Sequence, residues 1–255
     1  MKTGVIDTLD FPVARGKEAH VFHGTSLSGE PVAVKIFHTS NAVFKNLVQY
    51  IEGDPRFTGL RRKHRDLVEV WVRKEHRNLT RLARWGLNVP IPRGIHKNVL
   101  IMDYLGTKNS PSPKLREVLI DDPQSVYEDL LEFLAVSWQK ANLVHGDFSP
   151  YNILWHDGRA KVIDVGQGVV ESHPKSQEFL VRDVTRLVEW GQKNKQEVSF
   201  NTEEQDTPKN KLSVFATTVH IDNKLQGKGF GPSKKESQQN AAQFAMQKIE
   251  KDEEV

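Results

Sequence analysis

The feature that most constrains this chain is a polar run, His145-Gly146-Asp147-Phe148-Ser149-Pro150-Tyr151-Asn152, which is followed by Asp164 in an apolar segment. In metal-assisted phosphoryl transfer, one carboxylate orients the attacking hydroxyl, while an amide oxygen and a second carboxylate hold Mg²⁺ against the phosphates. Asp147, Asn152 and Asp164 supply those groups in that order. Any one of them alone is better interpreted as a loop stabiliser or a turn cap. The three together favour the chemistry.

The same order of residues matches the protein-kinase pattern of a catalytic loop and a later magnesium-binding aspartate, here with D-V-G in place of D-F-G. Upstream, Val32-Ala33-Val34-Lys35 matches the strand whose lysine contacts the α- and β-phosphates and pairs with a helix glutamate. Glu75 is the best candidate for that glutamate. A lysine after a strand is usually only solvent-exposed, so Lys35 gains its weight from the Gly16-Lys17-Glu18 turn before it and the helix after it.

The local patterns predict a mixed chain of helices and strands. Apolar residues at helical spacing predict helices over 66–85, 129–139 and 177–190, with Gly86 ending the first. Asp157-Gly158 between two short apolar runs predicts a hairpin. The remaining predictions are a strand, a turn and a strand over 11–37, a strand over 98–105, two strands around Asp222-Asn223, and a helix to about residue 250.

Composition excludes several classes of protein. The chain has 255 residues and no cysteine, which excludes disulfide frameworks, thiolate nucleophiles and sulfur-ligated zinc. No apolar run approaches the roughly 20 residues that a bilayer requires, and residues 1–16 do not have the pattern of a signal peptide. We therefore expect a cytoplasmic protein with no membrane partner.

Charge is distributed unevenly along the chain. Residues 51–100 contain 12 Lys and Arg against 5 Asp and Glu, whereas residues 101–150 contain 4 against 8. The basic block includes Arg61-Arg62-Lys63-His64-Arg65, for which a phosphate-contacting patch and a solvated loop are equally good interpretations.

Six segments in order resemble the RIO family of atypical protein kinases, over roughly residues 4–188. They are G-K-E-A-H-V-F at 16–22, V-A-V-K-I-F at 32–37, K-E-H-R-N-L at 74–79, H-G-D-F-S-P-Y-N-I-L at 145–154, I-D-V-G-Q-G-V at 163–169 and H-P-K-S-Q-E-F-L-V-R-D at 173–183. The loop around 52–65 resembles the type-1 subfamily. The resemblance implies a minimal two-lobed fold that binds ATP with Mg²⁺, or with Mn²⁺ in its place.

The resemblance also implies roles for individual residues. Lys35 would contact phosphate, Asp147 would be the catalytic aspartate, and Asn152 and Asp164 would bind the metal, with Asp164 itself open to phosphorylation. The other residues implied at the nucleotide are Gly16, Lys17, Val21, Glu75 and the hinge Met102, Asp103 and Tyr104. The chain departs from the family at Ala14-Arg15 and at Phe148-Ser149-Pro150.

The last part of the chain resembles a double-stranded RNA-binding domain of α-β-β-β-α order. Its first helix matches 183–193, its first strand 197–202, and its last helix follows Ser233, a good N-cap that leaves N–H groups and a positive dipole end for phosphate. The residues implied at RNA are Glu189, Gln192, Lys209, Lys211, Ser233, Lys234 and Lys235. The loop Thr207-Pro208-Lys209-Asn210 and Gln238 depart from the pattern, and a protein-binding member of this fold is the alternative.

The fold prediction is therefore α+β. A two-lobed kinase-like fold would cover 1–184, with lobes at about 1–104 and 105–184, and an RNA-binding fold would cover 183–251, with a first helix that the kinase end could share. The predicted function is an ATP-dependent serine/threonine kinase or ATPase that binds structured RNA. By resemblance the RNA would be rRNA and the partner the pre-small-ribosomal-subunit particle. The alternatives are an ATP-switched RNA-binding assembly factor and a signalling kinase regulated by duplex RNA.

Overall fold

The computed structural model describes residues 5–39, 48–57, 64–194, 198–205, 214–221 and 224–252. These residues form two compact units. The first contains the described residues up to Val118 together with Pro150–Pro174, and the second contains Leu119–Ser149 and the described residues from Lys175 onward.

The first unit is built on a five-stranded antiparallel sheet of order β1-β2-β3-β5-β4. The strands are β1 (Ile6–Arg15), β2 (Ala19–Ser26), β3 (Pro31–Phe37), β4 (Pro92–His96) and β5 (Val99–Asp103). The neighbouring inner strands β3 and β5 supply the core residues Val32, Val34, Val99 and Ile101. This buried centre fixes the register of β3, and with it the position of Lys35.

The helix α1 (His64–Arg84) packs on this sheet and buries one apolar stripe. It ends where predicted, because Gly86 adopts a positive φ of 72° beyond its last turn. The first unit also contains the predicted hairpin, which β7 (Ile153–His156) forms with β8 (Arg159–Val162). A short 3₁₀ turn over Val165–Gln167 comes next in the chain. The short strand β9 (Val169–Val170) follows.

The second unit combines two helices with the C-terminal α/β segment. Its elements are α2 (Pro123–Gln139), β6 (Leu143–Val144), α3 (Ser176–Lys193), β10 (Val198–Gln205), β11 (Val214–Ile221), β12 (Lys224–Gly231) and α4 (Lys234–Asp252). β10, β11 and β12 form an antiparallel sheet. α4 packs on that sheet and also contacts α2 and α3.

β12 lies unusually close to α4 because three alternate residues are glycines. A Cβ on Gly229 would overlap the backbone nitrogen of Ala241, and one on Gly231 would lie 2.7 Å from the backbone nitrogen of Ser237. Alternate residues of a strand face the same side, so the three glycines, with Gly227, form the surface on which the helix rests.

The sequence predictions missed the start of α2 and the strands β1, β4, β6 and β9. α2 begins at Pro123, six residues before the predicted start, because Asp122 caps it by accepting from the backbone N–H of Ser125 at 3.1 Å. β1 was not predicted as a separate strand, since its side chains are mostly exposed and its pairing with β2 has register shifts. α3 is one unbroken helix of 18 residues that spans the predicted boundary at 183–184.

Among the residues that the structure describes, no helix is long and apolar enough to cross a membrane.

Candidate active site and RNA-binding surface

A buried lysine joins two carboxylates in the first unit. Lys35 Nζ donates to both carboxylate oxygens of Glu75, at 2.7 and 3.0 Å, and to Asp164 Oδ1 at 2.7 Å. The side chain of Glu75 is 1% exposed, whereas that of Asp164 is 45% exposed. The lysine is therefore fixed on the buried side by Glu75 and presents its charge to the accessible aspartate.

The pKa directions of this cluster follow from burial and charge. Burial alone would lower the pKa of Lys35, but the carboxylates of Asp164 and Glu75 outweigh it and hold that pKa above its usual value. Burial raises the pKa of Glu75, and the opposing attraction of Lys35 does not cancel that effect. A lysine that stays charged while buried is suited to an anionic group such as phosphate.

Asp164 has a strained backbone. Its φ of 60° and ψ of 52° lie in the left-handed region, which a non-glycine residue adopts rarely. The segment that follows is held by α1: Lys74 Nζ donates to the backbone oxygens of Gly166 at 2.8 Å and of Gly168, and Asn78 Nδ2 donates to Val165 O at 2.8 Å. Strain that the surroundings enforce in this way is common at functional sites.

The β7–β8 hairpin brings the two predicted metal ligands to adjacent chain segments. Ile153 pairs with Val162, and one step further the N–H of Ile163 donates to the backbone oxygen of Asn152 at 2.9 Å. Asn152 therefore lies opposite the residue that precedes Asp164. An amide and one carboxylate suit Mg²⁺, which usually takes few protein ligands together with phosphate oxygens and water.

The predicted nucleotide residues Gly16, Lys17 and Val21 lie at the turn after β1 and on β2. The N–H of Gly16 donates to Ala19 O at 2.9 Å, and Lys17 is exposed. Val21 is the cross-strand partner of Lys35. Directly opposed residues share a face, so Val21 and Lys35 project to the same side of the sheet.

The predicted hinge residues Met102, Asp103 and Tyr104 lie at the end of β5. Met102 is half-buried, and Asp103 accepts from Arg93 Nε at 2.6 Å and from the N–H of Ile91 at 3.2 Å. Tyr104 is buried. Both the side chain of Asp103 and its backbone N–H, which donates to Ile91 O at 2.9 Å, are therefore used within the protein.

Asp147, the predicted catalytic aspartate, belongs to the second unit and lies beside α3. Arg186 Nη1 donates to Asp147 Oδ1 at 2.5 Å, and the two side chains are 35% and 32% exposed. One turn earlier, Arg182 Nη2 donates to the backbone oxygen of Gly146. Two arginines of α3 thus contact the loop. Arg182 binds the main chain of the loop, and Arg186 binds its predicted catalytic carboxylate.

Asp183 fixes the backbone of the same loop. Its carboxylate accepts from the N–H of Gly146 at 2.7 Å and from that of Phe148 at 3.0 Å, on both sides of Asp147. Burial raises the pKa of Asp183, although both N–H groups and His145 oppose this. The sequence did not single out Asp183, Arg186, Lys74 or Asn78 as site residues, since in a helix they resemble ordinary polar positions.

The predicted RNA-binding residues that can be described lie on α3 and at the start of α4. Glu189, Gln192, Lys234 and Lys235 are exposed. Ser233 caps α4 as predicted, since its Oγ accepts from the N–H of Glu236 at 3.2 Å. Lys209 and Lys211 lie outside the described residues, as do Arg61, Arg62 and Lys63.

Comparison with known proteins gives two family matches. A profile of the RIO domain matches residues 20–205, and one of the double-stranded RNA binding motif matches residues 184–249. The two matches overlap on the C-terminal half of α3 and on β10. The overlap agrees with a helix that is continuous through the region where a domain boundary was expected.

Curated relatives carry the RIO name. The chain is 41% identical over 183 residues to the RIO-type serine/threonine-protein kinase Rio1 of Haloferax volcanii, covering 72% of this chain and 63% of the relative. It is 40% identical to Rio1 of Thermoplasma acidophilum, covering 64% and 86%. For human RIO1 the identity is 35%, and the match covers 72% of this chain but only 33% of the relative.

A solved structure shares the fold. The Rio2 kinase of Chaetomium thermophilum, described as a complex with ADP, Mg²⁺ and phosphoaspartate, aligns with a TM-score of 0.55 at 22% identity, covering 74% of this chain and 56% of that one. The α+β, kinase-like fold expected from the sequence is thereby confirmed. With the RIO profile spanning most of its length, the chain belongs to the RIO family, and it also carries a match to the double-stranded RNA binding motif.

Proposed function

We propose that this protein is an ATP-dependent serine/threonine kinase or ATPase of the RIO type, with Mg²⁺ as its metal and Mn²⁺ as an alternative. The observation that carries the proposal is Lys35, which is buried, charged and bonded to both Glu75 and Asp164. That arrangement matches the lysine–glutamate pair and metal-binding aspartate of protein kinases. The relatives named as kinases support the same activity.

In the proposed reaction, Lys35 would neutralise charge on the nucleotide phosphates, and Asn152 and Asp164 would hold Mg²⁺, which would supply further positive charge to the same phosphates. Asp147 accepts the proton of the attacking hydroxyl, so that the bond to the γ-phosphoryl group forms as the bond to ADP breaks. The phosphoaspartate of the Rio2 complex supports a second route, in which the Asp164 carboxylate receives the phosphoryl group and water then releases it.

We assign structured RNA, specifically rRNA, as the macromolecular partner. The support is the match to the RNA-binding motif, the capped start of α4 with two exposed lysines, and the exposed face of α3. Together with the RIO family, these features favour a cytoplasmic role in maturation of the small ribosomal subunit, on the pre-small-subunit particle. We place the kinase domain at 1–184 and the RNA-binding domain at 183–251, sharing α3.

Two experiments test the proposal. Asp147→Ala and Asp164→Ala variants of the full chain should lose phosphate release and autophosphorylation, and full activity in both would contradict the site assignment.

Changing Lys234 and Lys235 together to glutamate should abolish binding to duplex RNA and its dependence on salt. The matched control is Lys108→Glu, an exposed lysine far along the sequence from the motif. Unchanged affinity in the double variant would contradict the RNA assignment.

An ATP-switched assembly factor is the second candidate, and the Arg186–Asp147 ion pair favours it, because the proposed catalytic carboxylate is already engaged. Tight binding of ATP with no phosphate transfer or release, with and without pre-ribosomal particles, would support this alternative.

A further inference from the structure

The helix α3 has two ends with different neighbours. In its first half, Arg182 and Arg186 contact the catalytic loop. In its second half, Glu189 and Gln192 are exposed and belong to the predicted RNA surface. The RNA-motif match begins at residue 184, so Arg186 lies inside it.

The spacing of these residues places them on one side of the helix. Residues three and four apart in a helix are neighbours on its surface, so Arg186 lies one turn before Glu189 and two turns before Lys193. Arg186 is half-buried, whereas Glu189 and Lys193 are exposed. The guanidinium of Arg186 thus lies at the border between the catalytic loop and the exposed face.

The Arg186–Asp147 pair has the character of an exchangeable contact. Each side chain is about a third exposed, at 35% and 32%. Ion pairs that water reaches contribute little net stability, since solvent screens them and both side chains lose freedom. An arginine presents a planar fork of donors that matches a phosphate as well as it matches a carboxylate.

We propose that Arg186 is a further RNA-contacting residue. Duplex RNA bound on the exposed face of α3 displaces the guanidinium of Arg186 from the carboxylate of Asp147. This inference rests on the proposed function. Without RNA, Arg186 occupies Asp147 Oδ1, so this oxygen is engaged by the arginine and is not available to orient the attacking hydroxyl. With RNA, a phosphate oxygen replaces the carboxylate as the acceptor, and Asp147 Oδ1 is released from the arginine.

The first test measures RNA affinity, without nucleotide, in the full chain. The probe is a fluorescent 20-base-pair RNA duplex, long enough for the roughly 16 base pairs that such domains span. Because binding and the Asp147 contact compete for one guanidinium, Asp147→Asn should tighten RNA binding about five-fold, by the reciprocity of coupled equilibria. The matched control is Asp164→Asn, which removes a carboxylate that pairs with Lys35, and it should leave the affinity unchanged.

A double variant separates this mechanism from a general effect of charge. Arg186→Gln should weaken RNA binding, and in that background Asp147→Asn should have no further effect. If Asp147→Asn still tightens binding five-fold when Arg186 is absent, or if it has no effect in the wild-type background, the competition does not exist. Arg186→Lys keeps a cation on the helix, so affinity between that of wild type and Arg186→Gln is expected if the variants are folded, which thermal unfolding checks.

The second test measures ATP turnover. Duplex RNA should stimulate the wild type several-fold, and Arg186→Gln should raise the RNA-free rate and lose the stimulation. A lower RNA-free rate in Arg186→Gln, or stimulation equal to that of the wild type, would overturn the inference alone. If the wild type neither binds the duplex nor turns over ATP, the proposed function fails together with it.

Discussion

Asp164 and Asp147 are each held by a cation, but the two cations stand in different surroundings. Lys35 is buried and is fixed by Glu75 as well as by Asp164. Arg186 is a third exposed and lies on a helix that also carries the predicted RNA surface. The first arrangement is suited to a site that stays formed, and the second to one whose partner can change. In the proposed function, this difference would separate binding of nucleotide, at Lys35 and Asp164, from control of the transfer step, at Asp147.

The largest effect on ATP turnover is expected from Lys35→Met, which removes the cation that pairs with Glu75 and Asp164. ATP turnover should fall about 100-fold or more, since a preorganised cation at developing phosphate charge is commonly worth that factor. The free energy of unfolding should fall by about 3 kcal/mol, because Glu75 is left buried without its partner. Lys108→Met, an exposed lysine, is the control for chemical denaturation and should change stability by less than about 0.5 kcal/mol. Turnover close to that of the wild type would contradict the role of Lys35.

Gly229→Ala tests whether the packing of α4 on β12 can be destabilised without affecting the nucleotide site around Lys35. The new Cβ would meet the backbone of Ala241, and a displacement of this kind costs about 1–3 kcal/mol. RNA affinity should fall while the Kd for Mg·ATP stays within about two-fold of the wild type. Gly94→Ala is the matched control, because its Cβ would lie 3.8 Å from Val5 Cγ2, an ordinary contact. Loss of nucleotide binding in Gly229→Ala would show that the two regions are not separable.

A smaller effect is expected from the ion pair at Asp147. A double-mutant cycle of Arg186→Gln with Asp147→Asn should give a coupling in the free energy of unfolding of about 0–1 kcal/mol, as for other accessible pairs. The same cycle on Lys35→Met and Glu75→Gln should give a clearly larger value. Equal couplings would remove the contrast between a fixed and an exchangeable cation.

The smallest expected effect is the contribution of Asp183 to the pH dependence of the free energy of unfolding. Burial raises the pKa of this carboxyl in the folded protein, so the folded state binds its proton more tightly than the unfolded state does. The stability that this group contributes is complete below pH 3.8 and is lost as the pH rises through the folded pKa. The free energy of unfolding of the wild type, relative to Asp183→Asn, should therefore fall as the pH rises above about 4. A difference that increases over this range would show that the two backbone N–H groups outweigh burial.

The sequence predicted most helices and strands because their apolar residues repeat at helical or alternating spacing. α1 was predicted to within two residues at its start and one at its end, since Gly86 marks its end. The start of α2 was missed although Asp122-Pro123 is an N-cap followed by a first-turn proline. β1 was missed because an edge strand with exposed side chains and register shifts has no regular pattern.

The candidate site was predictable where polar residues recur in an order that the packing of a core does not require. The order of Lys35, Asp147, Asn152 and Asp164 could be found in the sequence alone. Asp183 and Arg186 could not, because their partners lie 37 and 39 residues away in the chain and only the packing of α3 on the loop reveals them. α3 also runs unbroken across the predicted boundary at 183–184.

The central claim is that the two carboxylates have different tasks, Asp164 in holding the metal and nucleotide and Asp147 in the transfer step. It is tested most directly by titrating Mg·ATP into the full-length Asp164→Asn and Asp147→Asn variants by calorimetry. Asp164→Asn should weaken binding at least ten-fold, about 1.4 kcal/mol, whereas Asp147→Asn should bind like the wild type and not turn ATP over. Loss of Mg·ATP binding in Asp147→Asn with normal binding in Asp164→Asn would contradict it.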